Sequence, residues 1–281
     1  MIDLHTHTTA SDGTDSPFAL VNKALSAGIA VLGITDHDTT SGWAEAIRAA
    51  RKPISLALGA EISTLTEDGI SVHMLGLLFD GENSEIQAML SDARDTRIPR
   101  MKKMVELLRS DGFAISMEDV IAATPEGATL GRPHLADALV KNGVVKSRDE
   151  AFAELLTNDS KYYVTHAAPT PEAAIRQINQ AGGVAVIAHP FASRRGEVIS
   201  ADTFTHLVSA GLHGIEVNHR DHSQAEREQL AQIADQLGLV KTGSSDYHGN
   251  GKLNELGENL TDPEQWARLE SLASARRVVT K

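Results

Sequence analysis

Nine histidines and acids of this chain fall in short clusters beside strand-like apolar runs. His5 and His7 stand in MIDLHTH, Asp12 in SDG, His37 in GITDHD, Glu61 in LGAEIS, His73 in VHMLGLL, His189 in VIAHP, and Asp246 with His248 in SSDYH. Two residues apart on a strand, His5 and His7 point to one face and can converge on one ion. In a barrel of parallel strands the C-terminal strand ends share a face, so ligands distant in sequence arrive together. A lone histidine is more often a hydrogen-bonded or surface residue, and His206 and His213 are read that way. Nine ligand-type residues at equivalent strand ends read instead as a multinuclear metal centre.

The 281 residues include no cysteine, which excludes disulfides, zinc–thiolate sites and iron–sulfur clusters. Imidazole and carboxylate must therefore hold any ion, a donor set that suits manganese, zinc or iron over copper(I). Divalent ions so held bind phosphoryl oxygens, neutralise developing charge and lower the pKa of water, so in-line phosphoester hydrolysis is their natural use. A net charge of −12 argues against a broad basic face for duplex DNA, while a local cationic site still admits a small polyanion. The N-terminus lacks the basic start and apolar stretch of a signal peptide, and no apolar run approaches the roughly 18 residues of a membrane span. A soluble, cytoplasmic protein is expected.

Strand-like and helical runs alternate through most of the chain, predicting a βα architecture with a largely parallel sheet. The strands are predicted at Ile2–His5, Val31–Thr35, Ile54–Glu61, Ile70–Phe79, Val184–His189, Gly214–Asn218 and Leu239–Ser244. Helical spacing marks Ser16–Ala27, Gly42–Arg51, Pro171–Ala181, Ser200–Ala210 and Gln224–Leu237. The alternation lapses between Asn83 and His166, where Ser84–Arg109, Met117–Ala123, Pro133–Asn142 and Ser147–Leu156 predict an all-helical insertion. Pro99 is expected to kink or begin a helix there.

Taken in order, DLHTH-x4-DG (Asp3 to Gly13), ITDHD (Ile34 to Asp38), GAEIS (Gly59 to Ser63), VHMLG (Val72 to Gly76), AHP (Ala188 to Pro190) and GSSDYHG (Gly243 to Gly249) resemble the PHP family, named for polymerase and histidinol phosphatase. The resemblance implies a distorted (β/α)7 barrel, here residues 1–98 and 166–281, with 99–165 as the small helical insertion contributing to substrate binding. It implies up to three divalent ions, with manganese favoured and zinc or iron as alternatives. His5, His7, Glu61 and Asp246 would hold one ion, Asp12, His37 and His248 a second, and Glu61, His73 and His189 a third. Asp246 is the ligand expected to double as a proton shuttle.

Arg132-Pro133-His134 opens a helical run, so a guanidinium, an imidazole and a helix N-terminus are expected to meet a phosphate there. Lys161, Ser193 and Arg194 are candidates for a second phosphate, and His219 for a substrate contact, with His222 beside it. The run RPHLADALVKNGVVKSRDEAF resembles the branch of 3′,5′-nucleotide bisphosphate phosphatases, some of whose relatives trim short RNA from the 5′ end. The implied reaction removes the 3′-phosphate of a nucleotide such as 3′-phosphoadenosine 5′-phosphate; the implied partners are such nucleotides or a short RNA 5′ end, with no duplex DNA and no membrane. Histidinol phosphatase and a non-catalytic metal-stabilised module are the alternatives.

Overall fold

A computed structural model of the chain describes every residue except His166, Arg194, Arg195, Arg277 and Lys281. Seven strands, β1 (Ile2–Asp3), β2 (Val31–Ile34), β3 (Ser55–Leu65), β4 (Ser71–Leu77), β5 (Val184–Ala188), β6 (Gly214–Asn218) and β7 (Val240–Gly243), form one sheet in sequential order. The sheet rolls into a distorted, nearly closed α/β barrel. Its two ends are joined beyond the first and last strands by a bridge between Thr6 and Tyr247, where the His7 N–H donates to the Tyr247 carbonyl at 2.8 Å.

One strand departs from the parallel reading. β4 runs antiparallel to both β3 and β5, because residues 66–70 form a tight turn with Gly69 at φ 91° and are too few for a crossover helix. The inversion brings the beginning of β4, which carries His73, to the face where the other strands end. β1 also stops earlier than its apolar run suggests. Beyond it Thr35 ties the two segments, its amide donating to the Thr6 carbonyl at 3.1 Å and its hydroxyl accepting from the Thr6 N–H at 3.0 Å and donating to the Thr6 carbonyl at 3.0 Å.

Outside the barrel lie α1 (Pro17–Ser26), α2 (Trp43–Ala49), α7 (Pro171–Gln180), α8 (Thr203–Ala210) and α9 (Gln224–Leu237). Capping follows the sequence: Ser16 and Thr170 accept first-turn amides, Ser223 forms a capping box with Glu226, and Gly211 and Gly238 end their helices left-handed. A further helix, α10 (Pro263–Leu272), buries Trp266 and Leu269 with Ile2, Val184 and Val240, the first residues of three strands. It therefore packs at the end of the barrel opposite the histidines.

Between β4 and α7 come α3 (Ser84–Ser110), α4 (Met117–Ala123), α5 (Arg132–Lys141) and α6 (Arg148–Glu154). α3 passes unbroken through Pro99. Its first half puts Ile86 and Leu90 into the barrel's apolar layer, and its second half puts Met101, Met104 and Leu108 into a separate cluster with Val120, Leu135 and Leu139. One rigid helix thus ties the insertion to the barrel, and the boundary expected at 98/99 falls inside it. Among the described residues no helix is long and apolar enough to cross a membrane.

Candidate metal centre

The fold brings all nine cluster residues together. His5 and His7, both fully buried, place their Nε2 atoms 3.1 Å apart. Each faces Glu61 Oε2, at 3.1 and 3.0 Å, and Asp246 Oδ1, at 3.5 and 3.4 Å. The other oxygen of Glu61 meets His73 Nδ1 at 2.6 Å and His189 Nε2 at 3.0 Å. Asp12 reaches His248 at 3.2 Å and His37 at 3.7 Å. Ligand atoms close enough to share an ion form three overlapping groups: His5, His7, Glu61 and Asp246; His7, Asp12, His37 and His248; and His37, Glu61 and His73. His189 joins the last through Glu61.

Backbone strain marks the same places. Asp38, His189 and Asp246 adopt φ of 52°, 31° and 52°, a left-handed region costly for a residue with a Cβ and found where surrounding structure enforces it. Asp38 is held by Arg97, whose guanidinium donates to Asp38 Oδ2 and, at 2.7 Å, to Ser63 Oγ. Glu216, absent from the sequence expectations, accepts from His5 Nδ1 at 3.1 Å and from the His189 amide at 2.8 Å. A carboxylate behind an imidazole fixes its tautomer and orientation. Its only sequence signal is a lone acid between Ile215 and Val217 in an otherwise apolar strand. Asp36 does the same for the Asp12 loop, accepting from the Thr8 amide at 2.7 Å and the Ser11 hydroxyl at 2.7 Å.

Burial and crowding shape the protonation. Burial pushes His7 down, but hydrogen bonds to Asp246 and Glu61 outweigh it and raise it to about 9; His5 is likewise raised well above its usual range, against burial, by Glu61, Glu216 and Asp246. Burial takes His37 down to about 3 and, with the charges of His7 and Lys252, His248 to about 4. Glu61 and Asp12, despite burial, are held well below the usual carboxylate range by the imidazoles around them. His37 Nδ1 and His248 Nε2 are buried without a hydrogen bond, though carboxylate oxygens stand 3.2 Å away from each. Such a nitrogen costs about 1–3 kcal/mol, and a cation shared with those carboxylates would satisfy both. The donor set fits divalent ions.

A cavity of about 680 Å³ opens over the cluster. The insertion walls it with Arg97, Arg100, Arg132, Phe152 and Tyr163. Arg132 and Arg100 both lie over the Tyr163 ring, at 5.2 and 5.1 Å, and Arg132 also donates to the Leu156 carbonyl at 2.8 Å and to Asn158 at 2.7 Å. Burial and the neighbouring Arg132 charge bring Arg100 down to about 10, which leaves it cationic near neutral pH.

Five candidates lie elsewhere than expected. His134 does not line the cavity: it is buried, and its Nδ1 accepts the Gly131 amide at 3.1 Å, capping α5. Lys161 is exposed and paired with Asp111. Ser193 donates to Glu226 at 2.8 Å, away from the lining. His219 is buried behind Asp246, its Nε2 3.4 Å from Oδ2, and His222 is tied to the Val217 carbonyl at 2.9 Å. Arg194 lies outside the described residues. Of the substrate candidates that are described, Arg132 is the one that lines the cavity.

The PHP domain matches residues 3–91, which carry six of the nine cluster residues. A 3′,5′-nucleoside bisphosphate phosphatase of Chromobacterium violaceum is 34% identical over 89% of this chain and 88% of its own length. The chain belongs to the PHP family. Another PHP relative, the 5′-3′ exoribonuclease Rnm of Escherichia coli, is 35% identical over 93% of this chain and 89% of its own. A crystal structure from Bifidobacterium adolescentis, of a protein proposed to be a metal-dependent phosphoesterase, superposes with a TM-score of 0.92 at 42% identity, covering 97% of this chain and 96% of that one. The inverted β4, the Glu61-centred cluster and the arginine-walled cavity of this chain are thus set in a member of the PHP family.

Proposed function

We propose that this chain is a metal-dependent phosphoester hydrolase that removes the 3′-phosphate from 3′,5′-nucleotide bisphosphates, leaving a 5′-mononucleotide, and that the same site trims short RNA from the 5′ end. The observation that carries this reading is the pairing of three overlapping ligand groups with a cavity whose far wall is cationic. A substrate bearing two phosphates needs both.

His5, His7, Glu61 and Asp246 would hold one ion, Asp12, His37 and His248 a second within reach of His7, and Glu61, His73 and His189 a third. Manganese is the ion favoured, with zinc or iron as alternatives. Such ions supply Lewis acidity toward phosphoryl oxygens and make water a competent nucleophile near neutral pH. The side chains do the rest. Glu216 and Asp36 hold the imidazoles and the Asp12 loop in place, so that little reorganisation accompanies reaction. Asp246, with Oδ1 toward His5 and His7 and Oδ2 toward Lys252 and His219, takes the proton of the attacking water. Arg100 and Arg132, stacked over Tyr163, take the second phosphate. The cavity, near the middle of the volume range of small-molecule sites, suits one nucleotide or a strand end, and the charge of −12 disfavours a duplex.

The test is phosphate release from 3′-phosphoadenosine 5′-phosphate with added manganese, beside histidinol phosphate under the same conditions. Rapid release from the nucleotide, with 5′-AMP as product, is expected. Release chiefly from histidinol phosphate would overturn the substrate, since an arginine wall repels its amino-alcohol cation. Metal-loaded protein inert toward every phosphoester would overturn the reaction.

A further inference from the structure

We propose that Lys252 is a further catalytic residue, whose ammonium anchors Asp246 and binds an oxygen of the phosphoryl group lying over the cluster. The proposal rests on the phosphoesterase reading above and adds a residue to it.

Lys252 lines the cavity just beyond the turn that follows His248. Its Nζ stands 2.9 Å from Asp246 Oδ2. The two oxygens of Asp246 face different surroundings: Oδ1 looks toward His5 and His7 at 3.5 and 3.4 Å, while Oδ2 meets Lys252 and, at 3.4 Å, His219. An ammonium has three hydrogens. Among the described residues, Asp246 is the one hydrogen-bond acceptor that Lys252 has. At least one donor therefore remains for a ligand in the cavity.

The other cations of the cavity are engaged elsewhere. Arg97 is held by Asp38, Arg148 by a two-pronged contact with Asp137 at 2.5 Å, and Arg220 by Glu258 at 2.6 Å. These partners are carboxylates outside the cluster, and Arg148 touches the cluster only at the Asp12 backbone carbonyl, at 3.3 Å. Among the described cavity-lining cations, Lys252 is the one that hydrogen-bonds a cluster side chain. It therefore stands beside the cluster, where the scissile phosphoryl group must sit, while Arg100 and Arg132 stack over Tyr163 of the insertion.

The segment around Lys252 is fixed in place. The Asn250 amide donates to Thr14 Oγ1 at 2.8 Å, and Asn254 Nδ2 donates to the Ser245 carbonyl at 2.6 Å. A Cβ at Gly251 would meet Arg148 Nη1 at 2.2 Å, so the turn packs directly on the insertion. A backbone anchor on one side and a side-chain anchor on the other leave the Lys252 side chain, 31% exposed, as the adjustable part. A flexible stem carrying a compact charge can follow a phosphoryl oxygen as charge builds on it. Lys252 forms no covalent bond and keeps its proton.

Lys252→Met keeps the stem and removes the charge; Lys252→Arg keeps the charge. In the metal-loaded full chain we would measure metal per chain, calorimetric affinity for inorganic phosphate, and kcat/KM on 3′-phosphoadenosine 5′-phosphate. The methionine variant is expected to keep its metal, bind phosphate at least about tenfold more weakly and lose about 100-fold in kcat/KM, mainly in kcat. Unchanged phosphate affinity with kcat/KM within about twofold would overturn the proposal. If the methionine variant loses metal, the arginine variant decides: near-normal metal and phosphate binding supports the role, and metal loss there too reduces Lys252 to a structural prop. A metal-loaded wild type that neither binds phosphate nor hydrolyses any phosphoester takes the functional reading down first, and this role with it.

Discussion

The barrel face and the helical insertion contribute opposite halves of the site. The barrel gathers imidazoles and carboxylates so tightly that, among the described residues, three ligand groups overlap in pairs through His7, His37 and Glu61. The insertion carries Arg97, Arg100 and Arg132 to the same cavity on helices with an apolar cluster of their own. Arg97 is held by Asp38, whereas Arg100 and Arg132 stack over Tyr163. α3 enforces the separation as a single strut that spans both packing regions.

The sharpest way to break the comparison is at its most shared residue. Glu61→Gln leaves size unchanged but removes the charge on which His5, His7, His73 and His189 converge. We expect loss of most bound metal and a fall in kcat on the order of 10³, read by metal analysis and steady-state turnover. A variant with full metal and normal kcat would remove Glu61 from the centre of the site.

On the insertion side the expected signature is different. Arg132→Ala should raise KM for a bisphosphate by about 10- to 100-fold while metal content holds, and should matter less for a substrate with a single phosphate. Equal effects on both substrates would mean that Arg132 does no more than hold Leu156 and Asn158.

The barrel side should also respond to pH before any substrate is present. His7, raised to about 9, carries a proton at neutral pH in the metal-free chain, and that proton must leave for the nitrogen to bind an ion. Metal affinity is therefore expected to rise by about tenfold per pH unit per proton displaced, up to pH 9. The metal-free fold has the opposite sign. A histidine raised from about 6.5 contributes stability fully present below that value and lost as pH rises through about 9. Metal titrations and thermal unfolding from pH 6 to 9 would show the two slopes, and parallel slopes would refute this protonation scheme.

The smallest expected effect separates a surface cation from a cavity one. Lys161→Ala should leave KM and kcat within about twofold, because an exposed ion pair of this kind contributes little. A large rise in KM would return Lys161 to the substrate site.

What was legible in the sequence follows from range. The period-two pair His5 and His7, and acids placed after apolar runs, are local patterns that survive folding, so the cluster was readable residue by residue. β4's direction was also signalled locally, by Asp68-Gly69 between two apolar runs, a hairpin pattern overridden by the regular alternation around it. Asp262-Pro263 likewise marked the start of α10, as an N-cap followed by proline. Glu216, Arg100, Tyr163 and Lys252 were different. Apart from the lone acid that Glu216 makes between Ile215 and Val217, nothing near them in sequence distinguishes them from ordinary strand, helix or loop residues, and their tertiary neighbours give them a role. His134 erred the other way, because a helix cap and a phosphate ligand call for the same residue beside a helix N-terminus.

The most direct test of the central claim is a manganese titration of metal-free protein, following phosphate release from 3′-phosphoadenosine 5′-phosphate against metal bound per chain. We expect turnover to appear only as ions fill the cluster and to level off at no more than about three equivalents, the number of ligand groups found. Full turnover in metal-free protein, or no turnover with the cluster filled, would contradict the account.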